Sequence, residues 1–510
     1  MIPVSKKSKT GQFNSKDRFS DLPDFIIHHI ISYLGTKEAY RTSVLSKRWT
    51  QISATNPVLE FHHYRFSRGT TAALLEYIDI RMQKYSKENF RIKTLTLAFP
   101  NSCIEFACKV DEWLGIAARN RVEKFVLTSV ADYKLPQILF SARSLRILEC
   151  TKVEIPYYES IDLASLESLE LCDVVIEERM LCHIVKSCLL LKDLRLSDCS
   201  GFKSIVIPQC SKLELLDISE TLPTDGRVIL ETSSLKVFCY IPKHSNRANP
   251  WPITSKGGLL RNLRFINIAT VDITDEVFAK LLPELTSLEN LVFWGCHKLT
   301  SIIISSTQIK DIRFNDCCSL CDVLIDAPSL INFKFNGELD SSLCITIRSE
   351  ASCNVSFHTL PVYLDTDGFF KLKKVLAGIN NCNVLKLLLL KESIKNNCDD
   401  VEFDEEAVRN ADLGPPCVIR KLKLTLSSWI LSKSSLSALL DGLFWTCHLD
   451  IISLRVHLRS YSLTIPDLIS KLEDMTKCWR HPLKRVEVEG ANCSNLLVLR
   501  KLDVQLRLYW

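Results

Sequence analysis

The sequence predicts an α/β chain in which a small three-helix unit precedes a curved solenoid of strand-bearing repeats. Three observations predict it: a helix-period apolar segment near the N-terminus, an apolar template that recurs through most of the chain, and a composition able to fill a large core.

The chain has 510 residues, 46% hydrophobic and 24% charged, which are ordinary globular values. At roughly 150 residues per domain, length alone suggests about three domains. Glycine at 15 and proline at 18 are too few for a collagen-like or low-complexity chain, and no apolar run of about 18 residues is present to span a bilayer. The opening MIPVSKKSKTGQFNSKDR is polar and basic without an apolar centre, so no cleaved secretory signal is expected. The 21 cysteines then read as free, mostly packed thiols, and the sequons at Asn354 and Asn492 as chance matches. A net charge of +5 is too dilute to indicate a nucleic-acid face.

The first structured element runs from Asp24 to Leu34, where Phe25, Ile26, Ile27, Ile30, Ile31 and Leu34 give the i, i+3, i+4, i+7 pattern of an amphipathic helix. Pro23 suits a first helical turn, and Gly35 suits a left-handed cap beyond the last one. Thr36 is expected to cap a second helix, and Ser46 a third that carries Trp49 and Ile52. Three short helices build a very small core, so a partner covering exposed apolar positions is expected.

The repeats follow the template apolar-x-x-apolar-x-apolar. It appears at Val122/Phe125/Leu127, Leu145/Leu148/Cys150, Leu166/Leu169/Leu171, Leu191/Leu194/Leu196, Leu213/Leu216/Ile218 and Leu235/Phe238/Tyr240. It continues at Leu263/Ile266/Ile268, Leu288/Leu291/Phe293, Ile309/Ile312/Phe314 and Leu330/Phe333/Phe335. Successive intervals of 23, 21, 25, 22, 22, 28, 25, 21 and 21 residues are those of leucine-rich repeats. Cys199, Cys296 and Cys317 stand three residues past the last template position, where such repeats place Asn or Cys. One strand cannot hide its apolar edge alone, so neighbours stack into a continuous core.

A weaker match at Ile92/Leu95/Leu97 begins the array. Val384/Leu387/Leu389, Ile419/Leu422/Leu424, Ile451/Leu454/Val456 and Leu483/Val486/Val488 extend it, so residues 90 to 490 read as one irregular solenoid. Between Tyr240 and Leu263, Pro242, Pro250, Pro252, Gly257 and Gly258 predict a long surface loop. Asp399, Asp400, Glu402, Asp404, Glu405 and Glu406 predict a solvated acidic loop.

The stretch Asp17 to Ile52 closely resembles the F-box of plant F-box/LRR proteins. Leu22-Pro23, Thr36-Lys37-Glu38-Ala39, Arg41-Thr42-Ser43 and Leu45-Ser46-Lys47-Arg48-Trp49 carry the match. Gly35 stands where the family often has proline, and the tryptophan often found just beyond Trp49 is absent. Residues 415 to 490 look similar to the FBD-type segment of these proteins, chiefly at Cys478-Trp479, Leu483-Lys484 and Val486-Glu487-Val488. The implied organisation is a disordered basic arm (1–16), the F-box (17–57), a linker and helical cap (58–89), the leucine-rich-repeat solenoid (90–395), an acidic loop (396–416) and degenerate FBD-like repeats (417–510). The resemblance implies a substrate-receptor subunit of a Skp–cullin–F-box ubiquitin ligase. Its partners would be a Skp-like adaptor, through it cullin and RING subunits, and a target protein held by the repeats. A repeat scaffold without ubiquitin transfer is the alternative. Lys6, Lys7 and Lys9 resemble a weak import cluster, so cytoplasm and nucleus are both expected locations.

No catalytic role, cofactor, metal, nucleic acid or membrane is expected. The chain has no G-x-G-x-x-G, Walker, G-x-S-x-G or H-E-x-x-H motif. Cys317, Cys318 and Cys321 lack a second ligand pair, and the adjacent histidines His28-His29 and His62-His63 point apart. No cysteine lies in a motif that would lower its pKa, which argues against a cysteine-dependent ligase.

The resemblance assigns Leu22, Pro23, Ile26, Ile27, Ile30, Leu34, Val44, Leu45 and Trp49 to the adaptor-binding face and the core beneath it, without separating the two. Strand alternation assigns the template's +2, +4 and +6 positions to solvent on the concave face. That selects Asp193, Arg195 and Ser197, then Asn290, Val292 and Trp294, Asp311, Arg313 and Asn315, and Asn332, Lys334 and Asn336 as the target-binding set. Asp193, Arg195, Asn290, Trp294, Asp311, Arg313 and Lys334 are its expected contacts.

Overall fold

A computed structural model describes residues 22–62, 71–99, 104–209, 212–223, 226–243, 250–255, 258–337, 339, 342–350, 352–359, 366–379, 382–389, 404, 407, 416–427, 433–458, 485–496 and 499–509. The fold is α/β and solenoid-like, and the chain divides into two compact units, Met1–Glu170 and Leu171–Trp510. Lys6, Lys7, Lys9, most of the acidic stretch, and the Cys478-Trp479 and Leu483-Lys484 pairs lie outside the described residues.

In the first unit, helices α1 (Asp24–Ile31), α2 (Thr36–Arg41) and α3 (Lys47–Ser53) pack around Ile27, Ile31, Ala39, Trp49 and Ile52, with Leu22 and Leu34 against them. Ile27 and Ile31 share one face of α1, as their four-residue spacing requires. The Ser46 hydroxyl accepts the Trp49 N–H at 3.2 Å, the expected cap of α3. Gly35 behaves differently from expectation. It is extended (φ −62°) and occupies the N-cap of α2, while α1 ends at Ile31. The turn between them is closed by Ser32, whose hydroxyl donates to the His29 carbonyl at 2.7 Å, so no left-handed residue is needed.

Strands β1 (Val58–His62), β2 (Thr94–Ala98), β3 (Lys124–Lys134) and β4 (Ile147–Ile155) form a parallel ladder, with α4 (Thr71–Glu88) between β1 and β2 and α5 (Ile104–Arg119) between β2 and β3; β5 (Ser168–Cys172) and β6 (Val175–Ile176) follow in chain order. The ladder thus begins one strand earlier than Ile92 indicates. Asn56 fills the first template slot of β1 and hides the repeat. It is buried, and its side-chain oxygen accepts the Val58 N–H at 3.2 Å.

In the second unit the template residues form a parallel ladder through β7 (Asp193–Ser197), β9 (Leu215–Ser219), β11 (Val237–Ile241), β13 (Phe265–Ala269), β14 (Asn290–Trp294), β16 (Asp311–Asn315), β18 (Asn332–Asn336), β20 (Cys353–Thr359), β21 (Cys382–Leu389), β22 (Cys417–Ser427) and β23 (Cys447–Leu458). Phe293 stacks on Phe314 with centroids 6.1 Å apart, and Phe314 meets Phe333 edge-on at 6.2 Å, so one aromatic column runs through three repeats. Asp198, Glu220, Thr270, Gly295 and Asp316, each directly after a strand, take φ between 50° and 57°. Their amides turn sideways into the next repeat: Asp198 N–H donates to Ser219 O at 2.8 Å, and Asp316 N–H to Asn336 O at 2.7 Å. The Cys296 and Cys317 thiols each donate, at 3.5 Å, to the carbonyl two residues back, which explains cysteine at that slot.

Several elements depart from the sequence pattern. Strand β20 was hidden because the buried residue in its first slot is Cys353, which aligns with Cys382 but stands only two residues before Val355, a register shift that shortens the template by one residue. Among the described side chains β21 buries Cys382, Leu385 and Leu387, and β23 buries Cys447, Leu449, Ile452 and Leu454, so the template in each falls two residues earlier than Val384/Leu387/Leu389 and Ile451/Leu454/Val456. Val486 and Val488 lie in β24 (Arg485–Leu496), which pairs antiparallel with β25 (Leu499–Tyr509) rather than continuing the repeats; β25 in turn covers the edge of β23. Residues 253–255 of the proline-rich stretch form β12 (Ile253–Ser255), in a second sheet with β10 (Arg227–Leu230) and β8 (Ser204–Ile207). A matching sheet of β15 (Ser301–Ser305), β17 (Asp322–Asp326) and β19 (Cys344–Arg348) stands in later repeats, so part of the opposite wall is strand rather than helix. Among the described residues no helix is long and apolar enough to cross a membrane.

Candidate functional site

Two surfaces concentrate unusual side chains, one in each unit. On the helical unit the structure sorts the expected adaptor-binding residues. Ile27 and Trp49 belong to the core, Trp49 only 4% exposed. Leu22, Ile26, Ile30 and Leu34 are half-buried. Pro23, Val44 (85% exposed) and Leu45 (61%) face outward. Phe25, which the helical pattern had counted with the apolar face, is exposed instead, and so are Tyr33 and Tyr40, which periodicity did not single out. Phe25 precedes Ile27 by two residues, about half a helical turn, so it must lie opposite the buried face. Arg48 Nε donates to Asp24 Oδ1 at 2.7 Å and its Nη2 to the Leu22 carbonyl at 2.5 Å, tying α3 to the start of α1.

This unit is fixed to the repeats that follow it. The Tyr85 hydroxyl on α4 donates to the Asn56 carbonyl at 2.5 Å, and Asn120 Nδ2 donates to the carbonyls of Tyr85 at 2.9 Å and Phe90 at 2.6 Å. Burial pushes the Tyr85 phenol up to about 12, so it is a neutral donor at physiological pH.

On the second unit, the ladder's open face presents the +2, +4 and +6 side chains in register. Asp193, Arg195 and Ser197 are half-buried on β7, as are Asn290 on β14 and Asn332, Lys334 and Asn336 on β18. Trp294 is 42% exposed and Arg313 is exposed. Val292, Asp311 and Asn315 are not solvent-facing as expected: all three are buried, being short side chains beside longer ones, Val292 registered with Arg313, Asn315 with Trp294, and Asp311 engaged by Arg313. Asp311, 7% exposed, holds Arg313 through a two-bond fork, Nε to Oδ1 at 2.6 Å and Nη2 to Oδ2 at 3.1 Å.

Beyond β18 the corrected register brings in residues the sequence reading had not selected. Lys334 aligns with Arg313 and Ser356, Ser356 with Lys386, and Lys386 with Lys423. Lys421, His358 and Arg455 flank this row. Burial, reinforced by the Arg313 guanidinium, holds the Lys334 ammonium below its ordinary pKa. Burial together with Lys334 and Lys386 does the same to the His358 imidazole.

Among the described residues no cluster of three His, Cys, Asp or Glu side chains could hold a metal ion. Cys317 is buried in its turn while Cys318 is exposed, so they do not converge. Burial raises the thiols of Cys199 and Cys239 to about 11 and those of Cys353 and Cys382 to about 12, the reverse of what nucleophilic activation needs.

Comparison with known proteins agrees with this geometry. The F-box domain matches residues 19–61, and the "At1g61320/AtMIF1, LRR domain" family matches residues 82–243 and 250–397. The Arabidopsis thaliana FBD-associated F-box protein At5g56380 is 26% identical over 364 residues, 63% of this chain and 79% of that protein. F-box/FBD/LRR-repeat protein At5g56420 of the same plant is 25% identical over 299 residues, 54% of this chain and 65% of its own length. F-box/LRR-repeat protein At3g03360 is 30% identical over 210 residues, 40% of this chain and 43% of that protein. For two further relatives the chain spans only 42% of their length. Because the repeat family covers more than half of the sequence, directly behind a three-helix unit that itself matches the F-box, the chain belongs to the plant F-box/leucine-rich-repeat proteins.

Proposed function

We propose that this chain is the substrate-receptor subunit of a Skp–cullin–F-box ubiquitin ligase. The observation that carries the reading is the exposure of Pro23, Phe25, Tyr33, Tyr40, Val44 and Leu45 on a helical unit whose buried core, among the described residues, comprises five side chains. So much apolar surface on so small a unit is a protein-docking face, here for the Skp-like adaptor. The open face of the ladder takes the target protein, with Asp193, Arg195, Asn290, Trp294, Arg313 and Lys334 among its contacts and Asp311 orienting Arg313. Trp and Arg are the side chains most often found to dominate such interfaces. The chain then contributes proximity, raising the effective concentration of target lysines near a ubiquitin thioester carried by another subunit.

Co-expression of the full chain with a Skp-like adaptor, a cullin and a RING subunit tests the reading. Stoichiometric copurification of all four is the expected result. Copurification of a target without adaptor or cullin would instead favour a scaffold that transfers no ubiquitin.

A further inference from the structure

The open face changes character along its length. From β7 to β14 its charged side chains are Asp193, Arg195 and Asp217, and Cys239, Phe265, Val292 and Trp294 dilute them. From β16 to β23 the described outward positions carry Arg313, Lys334, Lys386, Lys421, Lys423 and Arg455; the carboxylates registered against them are Asp311, which Arg313 already engages, and Asp503 of β25 opposite Arg455, while Lys421 Nζ donates to Gln505 Oε1 at 3.1 Å, so Lys334, Lys386 and Lys423 form the uncompensated row. Burial and neighbouring cations hold the pKa values of Lys334 and His358 below their ordinary ones. Like charges gathered at such a cost invite a counter-charge from outside.

We propose that the face from β16 to β23 binds an extended, carboxylate-rich segment of the target protein, laid across the strands. The inference rests on the receptor reading above and names the chemistry its target must carry. Six strands at about 4.8 Å apart make a row about 24 Å long, which some seven residues of extended chain would cover. Alternate side chains of such a segment recur about every 7 Å, comparable with the one- and two-strand steps between Arg313, Lys334, Lys386 and Lys423. A phosphate group would fit less well. It is compact and best held by converging guanidinium forks, whereas these cations are dispersed, mostly lysines, and the Arg313 fork is occupied by Asp311.

The test uses the full chain copurified with its adaptor and a fluorescein-labelled deca-glutamate peptide, followed by anisotropy. Binding should weaken with salt, and the triple variant Lys334→Ala, Lys386→Ala, Lys423→Ala should bind at least about tenfold more weakly with an unchanged melting curve. A triple of exposed lysines elsewhere in the unit, Lys186→Ala, Lys203→Ala, Lys298→Ala, should bind like the parent. Equal loss in both triples, or none in the first, overturns the proposal. Tighter binding of a charge-matched phosphoserine peptide overturns it in favour of phosphate recognition. Binding that appears only after residues 396–406 are replaced by a Gly-Ser linker would mean that the chain's own acidic stretch covers the row, and also overturns it. Adaptor copurification reads out the receptor assignment separately: its loss with peptide binding intact defeats that assignment alone.

Discussion

Asp311 and Arg313 lie two residues apart on one strand and close a bidentate ion pair, Nε–Oδ1 2.6 Å and Nη2–Oδ2 3.1 Å, with the carboxylate buried and the guanidinium exposed. Position i and i+2 of a strand share a face, so the pair needs no help from a neighbouring repeat. Removing Arg313 leaves a buried carboxylate without its fork. Arg313→Ala should destabilise the chain by about 1–3 kcal/mol in urea unfolding, and Arg313→Lys should recover only part of it, because an ammonium cannot make both bonds. Full recovery by lysine would show that charge alone matters.

The F-box surface and its core should separate by mutation. Val44→Asp with Leu45→Asp alters two exposed side chains and should weaken adaptor capture by at least about tenfold without shifting the melting temperature. Trp49→Ala empties the centre of the core and should cost about 3–5 kcal/mol, losing adaptor binding only through unfolding. Adaptor capture unchanged in the double variant would remove this face from the interface.

Tyr85 links the helical unit to the first repeats. Its phenol is raised to about 12 by burial, whereas an unfolded tyrosine ionises near 10. Its contribution is therefore complete below about pH 10 and is lost as pH rises through about 12. Tyr85→Phe should cost about 1–3 kcal/mol at neutral pH by orphaning the Asn56 carbonyl. Alkaline unfolding followed by circular dichroism should also become less steep in that variant.

His358 has the opposite sign. Burial and the adjacent Lys334 and Lys386 depress its pKa in the folded state, so the chain gives up stability as pH falls below about 6.5, where the unfolded imidazole takes its proton first. His358→Gln should flatten that part of the stability profile in denaturant titrations between about pH 7 and 5. An unchanged slope would assign the acid sensitivity to other groups.

Sequence by itself determined the α/β class, the three-helix unit and the buried residue of nearly every ladder strand, because alternation and helical period are imposed by local sterics and survive in one dimension. Leu194 and Leu196, or Phe333 and Phe335, could only be buried together. It failed where Asn56 put a polar residue in the apolar slot before β1, where the register shift at Cys353 shortened the template of β20, and where apolar residues continue past the template, to Leu389 in β21 and Val456 in β23, leaving the frame ambiguous by two residues. Only the tertiary structure decided which F-box side chains are core and which are surface, since Ile27 and Val44 look alike until the helices cross. It alone assembled the cation row. Lys334, Lys386 and Lys423 are separated by loops of unequal length, and they fall in one row, with Ser356 between the first two, only because parallel pairing sets the lateral register.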